Sequence, residues 1–452
     1  MKTISRVLVA NRGEIAVRII KACQDLGIGS IAVVSDADRE SLPAKMADRV
    51  VCIGPPRSLD SYLKIETLIT AALATGADAI HPGYGFLAEQ PELVEACNEH
   101  GIIFIGPSAE NIRKMGNKLV ARSIAKDCGI PTIPGSKKVS DIREGIAEAE
   151  KISYPVFIKA AAGGGGRGMK IAYNHEDFRS LFDSLSAEAN AAFGDGTLYI
   201  EHYIPNARHI EVQILGDKFG NTVHLGERDC SVQRRYQKMI EEAPSPVVTE
   251  KMRKEICNAA ITIANTIGYV SAGTVEFVFN QDKNLFYFLE MNTRIQVEHP
   301  VTEEVTGIDL VQEQINLANG TPLALSQEDI KFNYHSIECR INAESPIDFM
   351  PCPGLVTKWE PPKDVIRLDT CCYEGYTIPP YYDSMIAKLI AKDNNRDKTI
   401  GRMIKALENF TVSGIETNIP FHLLLLNHPD FKDSKINTQW LESKIIPEIR
   451  SK

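Results

Sequence analysis

A chain of 452 residues with 24% charged and 44% hydrophobic residues has the composition of an ordinary globular protein, which excludes a disordered tail, a collagen-like fibre and a disulfide-rich miniprotein. Fifty basic against 59 acidic side chains leave a net charge of −9, so the overall basic footprint that nucleic acid demands is missing. The length predicts about three domains.

Buried strands are predicted at residues 6–10 and 30–35. A helix over 14–26 joins them, with Ile15, Val17, Arg18, Ile19 and Ala22 at helical spacing and Gly27 as its C-cap. Further strands at 50–53, 77–81 and 102–105 alternate with helical patterns at 63–74 and 91–100, which predicts a parallel, doubly wound sheet. Ala10-Asn11-Arg12-Gly13-Glu14 follows the first strand where a dinucleotide fingerprint would place Gly-x-Gly-x-x-Gly, so a nicotinamide dehydrogenase loses its main support. Beyond Gly129, Ile130-Pro131 and Pro134-Gly135 read as a linker. A helix at 141–151, strands at 156–160 and 169–173, a helix at 178–192 and a strand at 198–204 follow. Residues 209–298 are strand-rich around one helix at 251–267. After Gly320 a third region carries strands at 336–342 and 385–391 and a helix at 397–409.

The ten cysteines are scattered, with no Cys-x-x-Cys pair, so neither a zinc ribbon nor a thioredoxin-type site is indicated. Cys371 and Cys372 are adjacent and lack the span of a disulfide. Only Val7-Leu8-Val9-Ala10 precedes Asn11-Arg12, too short for a signal peptide, and the longest aliphatic run is 423–426. A cytoplasmic protein with reduced thiols and no membrane span is expected.

Gly163-Gly164-Gly165-Gly166-Arg167-Gly168 costs conformational entropy, roughly 0.5–1 kcal/mol per glycine against alanine. It lies between two strand-like segments and lacks Gly-Lys-Ser/Thr, which excludes a Walker loop. A hairpin tip whose bare amides close over phosphates fits it, and a plain linker is the alternative. Lys159, on the otherwise apolar strand Val156-Phe157-Ile158-Lys159-Ala160, calls for an anionic partner.

A second hairpin is read at 274–292, with a turn near Lys283 that sets Glu276 opposite Glu290 and Asn292 on the same face. Two facing carboxylates repel unless a cation lies between them, and an oxygen donor set suits magnesium or manganese rather than zinc. Glu290, Asn292, Arg294, Gln296 and Glu298 share one parity. If the segment stays extended they line one surface, with Phe286 and Phe288 on the face of Glu290. A solvated stripe is the alternative. Metal, glycine loop and lysine together point to nucleoside-triphosphate chemistry.

With these residues in view, the chain resembles a known family. His81-Pro82-Gly83-Tyr84-Gly85-Phe86, the glycine run to Met169, Glu227-Arg228-Asp229-Cys230-Ser231, the segment 290–299 and Pro379-Pro380-Tyr381-Tyr382-Asp383-Ser384-Met385 are similar to the biotin carboxylases of the ATP-grasp superfamily, over about residues 7–441. The resemblance implies an α/β fold: a Rossmann-like N-terminal domain (1–117), an ATP-grasp domain (118–330) with a mobile glycine-rich lid at about 133–203, and a mixed α+β C-terminal domain (331–446).

It also implies roles. Lys118, Lys159 and the loop at Gly165 and Gly166 would hold the ATP phosphates. Glu201, His202, Tyr203 and Ile204 would cup the adenine, with His209 near the ribose. Glu276, Glu290 and Asn292 would coordinate Mg2+ or Mn2+. Lys238, Arg294 and the backbone of Gln296 and Val297 would bind bicarbonate. Glu298 would be the general base, and Arg340 would stand beside the biotin ureido oxygen. Tyr236 occupies a nucleotide-contact position where much of the family has histidine. Cys230, Tyr381 and Tyr382 read as packing residues, and His81 and His299 as loop-backbone hydrogen-bonding groups.

The implied reaction is ATP-dependent carboxylation of biotin through carboxyphosphate, as the first half-reaction of acetyl-CoA carboxylase in fatty acid biosynthesis, or of a two-subunit pyruvate or acyl-CoA carboxylase. No Ala/Val-Met-Lys-Met biotinylation tetrapeptide occurs. A separate biotin carboxyl carrier protein and separate carboxyltransferase subunits are therefore expected, and the resemblance implies a homodimer. One rival reading is a carbamoyl-phosphate or purine-precursor ligase, and another is a silent ATP-binding regulatory protein. The presence of Lys238, Arg294, Glu298 and Arg340 together argues against silence.

Overall fold

In the computed structural model, which describes residues 3–161, 168–363 and 366–451, the first hundred residues form the parallel sheet that their alternation predicts. Strands β1 (Arg6–Val9), β2 (Gly29–Val34), β3 (Arg49–Cys52), β4 (Ala79–His81) and β5 (Ile103–Phe104) lie in the order β3-β2-β1-β4-β5. Val7 and Val9 enter one core and Leu8 the other, so the apolar run of β1 is buried on both faces. Helix α1 (Gly13–Asp25) follows β1. Strand order reverses between β1 and β4, and the crevice beyond their C-terminal ends is where such sheets bind ligands. Asn11 ties the two strand ends together by donating to the carbonyls of Pro82 and Tyr84, both at 2.7 Å.

Helix α2 (Lys118–Asp127) is capped by Asn117, whose side chain accepts from the amides of Leu119 and Val120. A three-stranded antiparallel sheet follows: β6 (Val156–Ala160), β7 (Met169–Ala172) and β8 (Leu198–His202), in the order β7-β6-β8. The helix His175–Phe193 lays Phe178, Phe182, Leu185 and Ala189 onto it, spacings of three and four residues that make one face. Lys159 pairs with Met169 in register, so the strands flanking the glycine run form the expected hairpin. The run itself, with Gly165 and Gly166, lies outside the described residues. The expected linker is built into both neighbouring sheets: Thr132 bridges to Phe288 and Gly135 to Glu201.

The largest sheet has eight strands. They are β9 (Ala207–Gly216), β10 (Thr222–Arg234), β11 (Gln237–Ala243), β12 (Ser271–Asn280), β13 (Leu285–Asn292), β14 (His335–Asn342), β15 (Arg367–Thr370) and β16 (Met385–Asp393). Their order is β13-β12-β9-β10-β11-β14-β16-β15. Pairing of β11 with β14 carries the sheet across the boundary expected near residue 330. Helix α3 (Glu250–Thr266) packs on β9 and β10.

The 276/290 register is as predicted, with Glu276 opposite Glu290. One expectation on this hairpin is corrected. The register shifts between Glu276 and Phe277, which pairs with Phe288, so Leu289 is the extra residue of a bulge. The parity flips there, and Phe286 and Phe288 join Phe277 in the core behind the sheet, not the face of Glu290. A second correction concerns residues 290–298. The strand ends at Asn292, and helix α4 (His299–Thr306) begins after a turn with Glu298 as its N-cap residue. Among the described residues no helix is long and apolar enough to cross a membrane.

Candidate active site

A cavity of about 1160 Å3 opens where the ends of β1 and β4, the small sheet and one face of the large sheet meet. Except for the two glycines outside the described residues, every site residue expected from the sequence lines it. The five polar residues 290, 292, 294, 296 and 298 all reach it, although the segment does not stay extended.

The floor is a row of carboxylates across three adjacent strands. Glu276 on β12 stands opposite Glu211 on β9 and Glu290 on β13. Facing like charges are destabilising, so cations are needed. Lys238 on β11 places its ammonium 2.5 Å from Glu211 and 3.1 Å from Glu276. Arg228, fully buried opposite Glu211, contacts it at 2.5 Å. His209 lies 3.1 Å from Glu276. Burial alone would raise the Glu276 carboxyl, but Lys238 and His209 hold it well below the usual range. The Glu276 carboxylate raises His209 to about 9 against the effect of burial.

Glu290 differs. Burial and the neighbouring Glu276 push its carboxyl up, and Lys118 only partly offsets them. A carboxylate held up by an ionised neighbour, with the Asn292 amide 2.8 Å from that neighbour, is the donor set a hard divalent cation would relieve. The residues present therefore fit the expected magnesium or manganese.

Glu298 sits between two cations. One oxygen lies 2.5 Å from Lys238, and the other accepts from Arg340 at 2.9 Å. Burial would raise this carboxyl, but Lys238 and Arg340 bring it below the ordinary range, so it is ionised at neutral pH. Arg340 also holds Glu241 at 2.5 Å, a buried carboxyl raised to about 7 by desolvation. The Gln296 side chain accepts from Arg228 and donates to Glu276, both at 2.7 Å. Arg294 contacts Glu89 at 2.8 Å and the Asn292 side-chain oxygen at 2.9 Å.

At the other end, the anionic partner that Lys159 calls for is Glu201, which also contacts Arg122. Tyr203, Ile204, Val278 and Leu289 give this end an apolar lining beside the His202 ring, and the bulge is what turns Leu289 and Glu290 into the cavity together. Lys118, first residue of α2, has its ammonium pKa lowered by burial. Cys230 is fully buried and its thiol is pushed up by desolvation, as expected of a packing residue. His81 accepts from the amide of Gly83, and His299 contacts the carbonyl of Gln296, so both serve loop backbone.

Sequence reasoning missed Glu211, Glu241 and Leu289, and gave Arg228 no role although it stands in the Glu227–Ser231 motif. A signal existed for Glu211: His209, Glu211 and Gln213 alternate with Ile210, Val212 and Ile214, a polar parity on a strand whose other face is core.

The chain matches the family described as biotin carboxylase, N-terminal domain, at residues 3–112. It matches the carbamoyl-phosphate synthase L chain, ATP binding domain, at 117–326 and the biotin carboxylase C-terminal domain at 338–443. It is 52% identical to biotin carboxylase 1 of Bacillus subtilis over 97% of this chain and 98% of that one. It is 48% identical to a pyruvate carboxylase subunit of Methanothermobacter thermautotrophicus over 97% and 89%. The crystal structure of the Hydrogenobacter thermophilus 2-oxoglutarate carboxylase biotin carboxylase domain dimer, in complex with MgADP, ADP and bicarbonate, superposes with a TM-score of 0.94 at 47% identity, covering 99% of both chains.

Proposed function

Because the chain belongs to the biotin carboxylases, ATP-grasp ligases that carboxylate biotin, we propose a division of labour among its residues. Lys118 and Lys159 hold the ATP phosphates, and Glu201, His202, Tyr203 and Ile204 cup the adenine beside His209. Glu276, Glu290 and Asn292 hold magnesium or manganese, which when bound offsets the charge on the phosphates. Arg294, Lys238 and the backbone of Gln296 and Val297 seat bicarbonate. All of these residues lie in the central block, 118–330, which is flanked by blocks at 1–117 and 331–446, the latter carrying Arg340.

Bicarbonate is a poor nucleophile, and Glu298 removes its proton so that it attacks the γ-phosphorus, giving carboxyphosphate and ADP. Carboxyphosphate decays to carbon dioxide and phosphate in place, and the phosphate deprotonates biotin N1. Arg340 stabilises the ureido oxyanion, an effect worth about 3–4 kcal/mol in comparable sites. The observation that carries this reading is Glu298 held ionised between Lys238 and Arg340, beside a carboxylate row suited to a divalent cation.

The test is ADP release that requires bicarbonate and is stimulated by free biotin. Arg294→Ala and Arg340→Ala should keep the wild-type circular dichroism spectrum and lose biotin carboxylation. Wild-type turnover in either would sink the assignment. The finer reading is the first half-reaction of an acetyl-CoA carboxylase, by a homodimer served by a separate carrier protein and carboxyltransferase. The likeness to a pyruvate carboxylase subunit favours pyruvate as the alternative acceptor. Recovery of the transferase that co-purifies with the tagged chain separates the two.

A further inference from the structure

Lys388 is a fully buried lysine in the middle of the apolar strand β16, far in sequence from every residue assigned above. It stands directly opposite Arg340 on β14, so the two side chains lie side by side on one face of the sheet. Placing two cations together is unfavourable, and the fold arranges acids around them. Glu14 of α1 lies 3.1 Å and Asp369 of β15 3.9 Å from the Lys388 ammonium, and Glu241 takes Arg340. Buried Glu338, on the same strand as Arg340, adds a further acid to this field.

The two cations grip consecutive residues of one turn. Arg340 donates to the Glu298 side chain, and Lys388 donates to the Val297 carbonyl at 2.9 Å. The preceding carbonyl, Gln296, is taken by the His299 ring at 2.7 Å. In a trans peptide the carbonyl and the next N–H point to opposite sides of one rigid plane. Fixing the Gln296 and Val297 carbonyls therefore also fixes the directions of the Val297 and Glu298 amides and the exit of the Glu298 side chain. Lys388 also connects this turn to the first block: Glu14 accepts from the Tyr84 hydroxyl, and Tyr84 lines the cavity.

We propose that Lys388 is the positioning residue of the turn that carries the general base: by pinning the Val297 carbonyl and anchoring it to Glu14, it sets Glu298 and the neighbouring amides against bicarbonate. This rests on the reading of Glu298 and of the bicarbonate seat given above. Lys388 touches no substrate and acts through the backbone of the turn. Its loss should therefore affect the bicarbonate parameters while leaving ATP binding alone, whereas a merely structural lysine would move both or neither.

The test uses the full chain with Lys388→Met and with Lys388→Met/Glu14→Gln, the second removing the carboxylate charge that the first leaves buried. ADP release is measured against bicarbonate, ATP and free biotin, together with melting temperature. The expected result is a fall in kcat/KM for bicarbonate on the order of 10²-fold in both variants, with the ATP KM unchanged. The double variant should regain melting temperature without regaining the bicarbonate parameter. Wild-type kcat/KM for bicarbonate in the double variant would overturn the proposal. So would parallel shifts in the ATP and bicarbonate KM, or failure of both variants to fold. Absence of bicarbonate-dependent, biotin-stimulated ADP release in the wild type would instead overturn the underlying reading.

Discussion

The ammonium of Lys238 stands 2.5 Å from Oε1 of Glu298, and it is carried by β11, a central strand of the large sheet next to the β14 of Arg340. The same ammonium contacts Glu211 and Glu276, so three carboxylates share this cation, each with a second partner in Arg228, His209 or Arg340. Lys238→Gln should let the Glu298 carboxyl rise, because burial then acts with less opposition. A base with a raised pKa is lost to protonation at higher pH, so the acidic limb of the pH–rate profile should move toward neutrality. The kcat/KM for bicarbonate should fall on the order of 10²-fold or more. An unshifted acidic limb would mean that Lys238 does not set the ionisation of Glu298.

Glu290 offers a separate handle on the cation. Its carboxyl is pushed up by burial and by Glu276 across the hairpin, so an isosteric amide removes a repulsion in the absence of metal and a ligand in its presence. Glu290→Gln should therefore melt at or above the wild-type temperature without magnesium. It should also need about tenfold or more magnesium for half-maximal ADP release. A magnesium titration unchanged from wild type would remove Glu290 from the metal site.

How much of this could be read from the sequence depends on distance along the chain. The facing of Glu276 and Glu290 follows from a local turn, and the strand alternation gave it correctly. The bulge at Leu289 did not follow, because one inserted residue leaves the apolar-polar pattern intact while reversing which face it describes. Glu211 completes the carboxylate row from a strand about sixty residues upstream, and its pairing with Glu276 leaves no periodic trace. Lys388 lies further still, and its partners Val297 and Glu14 belong to separate blocks. The family resemblance implies a boundary near residue 330, but hydrogen bonding continues through it from β11 to β14.

Tyr236 tests the position where the expected histidine is replaced. With Arg235 it forms the two-residue connection between β10 and β11, and both have left-handed backbones, with φ of 47° and 64°. Tyrosine tolerates that region less well than histidine. The residue is 36% exposed and lines the cavity. Tyr236→His should thus be neutral or slightly stabilising, within about 0.5 kcal/mol, and change the ATP KM by no more than about threefold. A tenfold loss of ATP affinity would make the tyrosine a specific nucleotide contact.

Glu242 links the two halves of the large sheet, and its carboxylate should show in the acid stability of the protein. On β11 it lies 2.9 Å from His335 of β14 and 2.7 Å from Arg396, and it is 3% exposed. Burial would raise its carboxyl, but Arg396 and His335 bring it from 4.5 down to about 2. A folded-state pKa below the unfolded one gives stability that is fully present above pH 4.5 and lost as the pH falls toward 2. The depression corresponds to roughly 3 kcal/mol. Glu242→Gln should be less stable than wild type by about that amount in urea unfolding at pH 7, and the gap should narrow steadily below pH 4.5. Because Glu242 is turned away from the cavity, the variant's bicarbonate and ATP parameters at neutral pH and low temperature should match wild type. A stability gap that stays constant down to pH 3 would show that the loss comes from packing rather than from the charge.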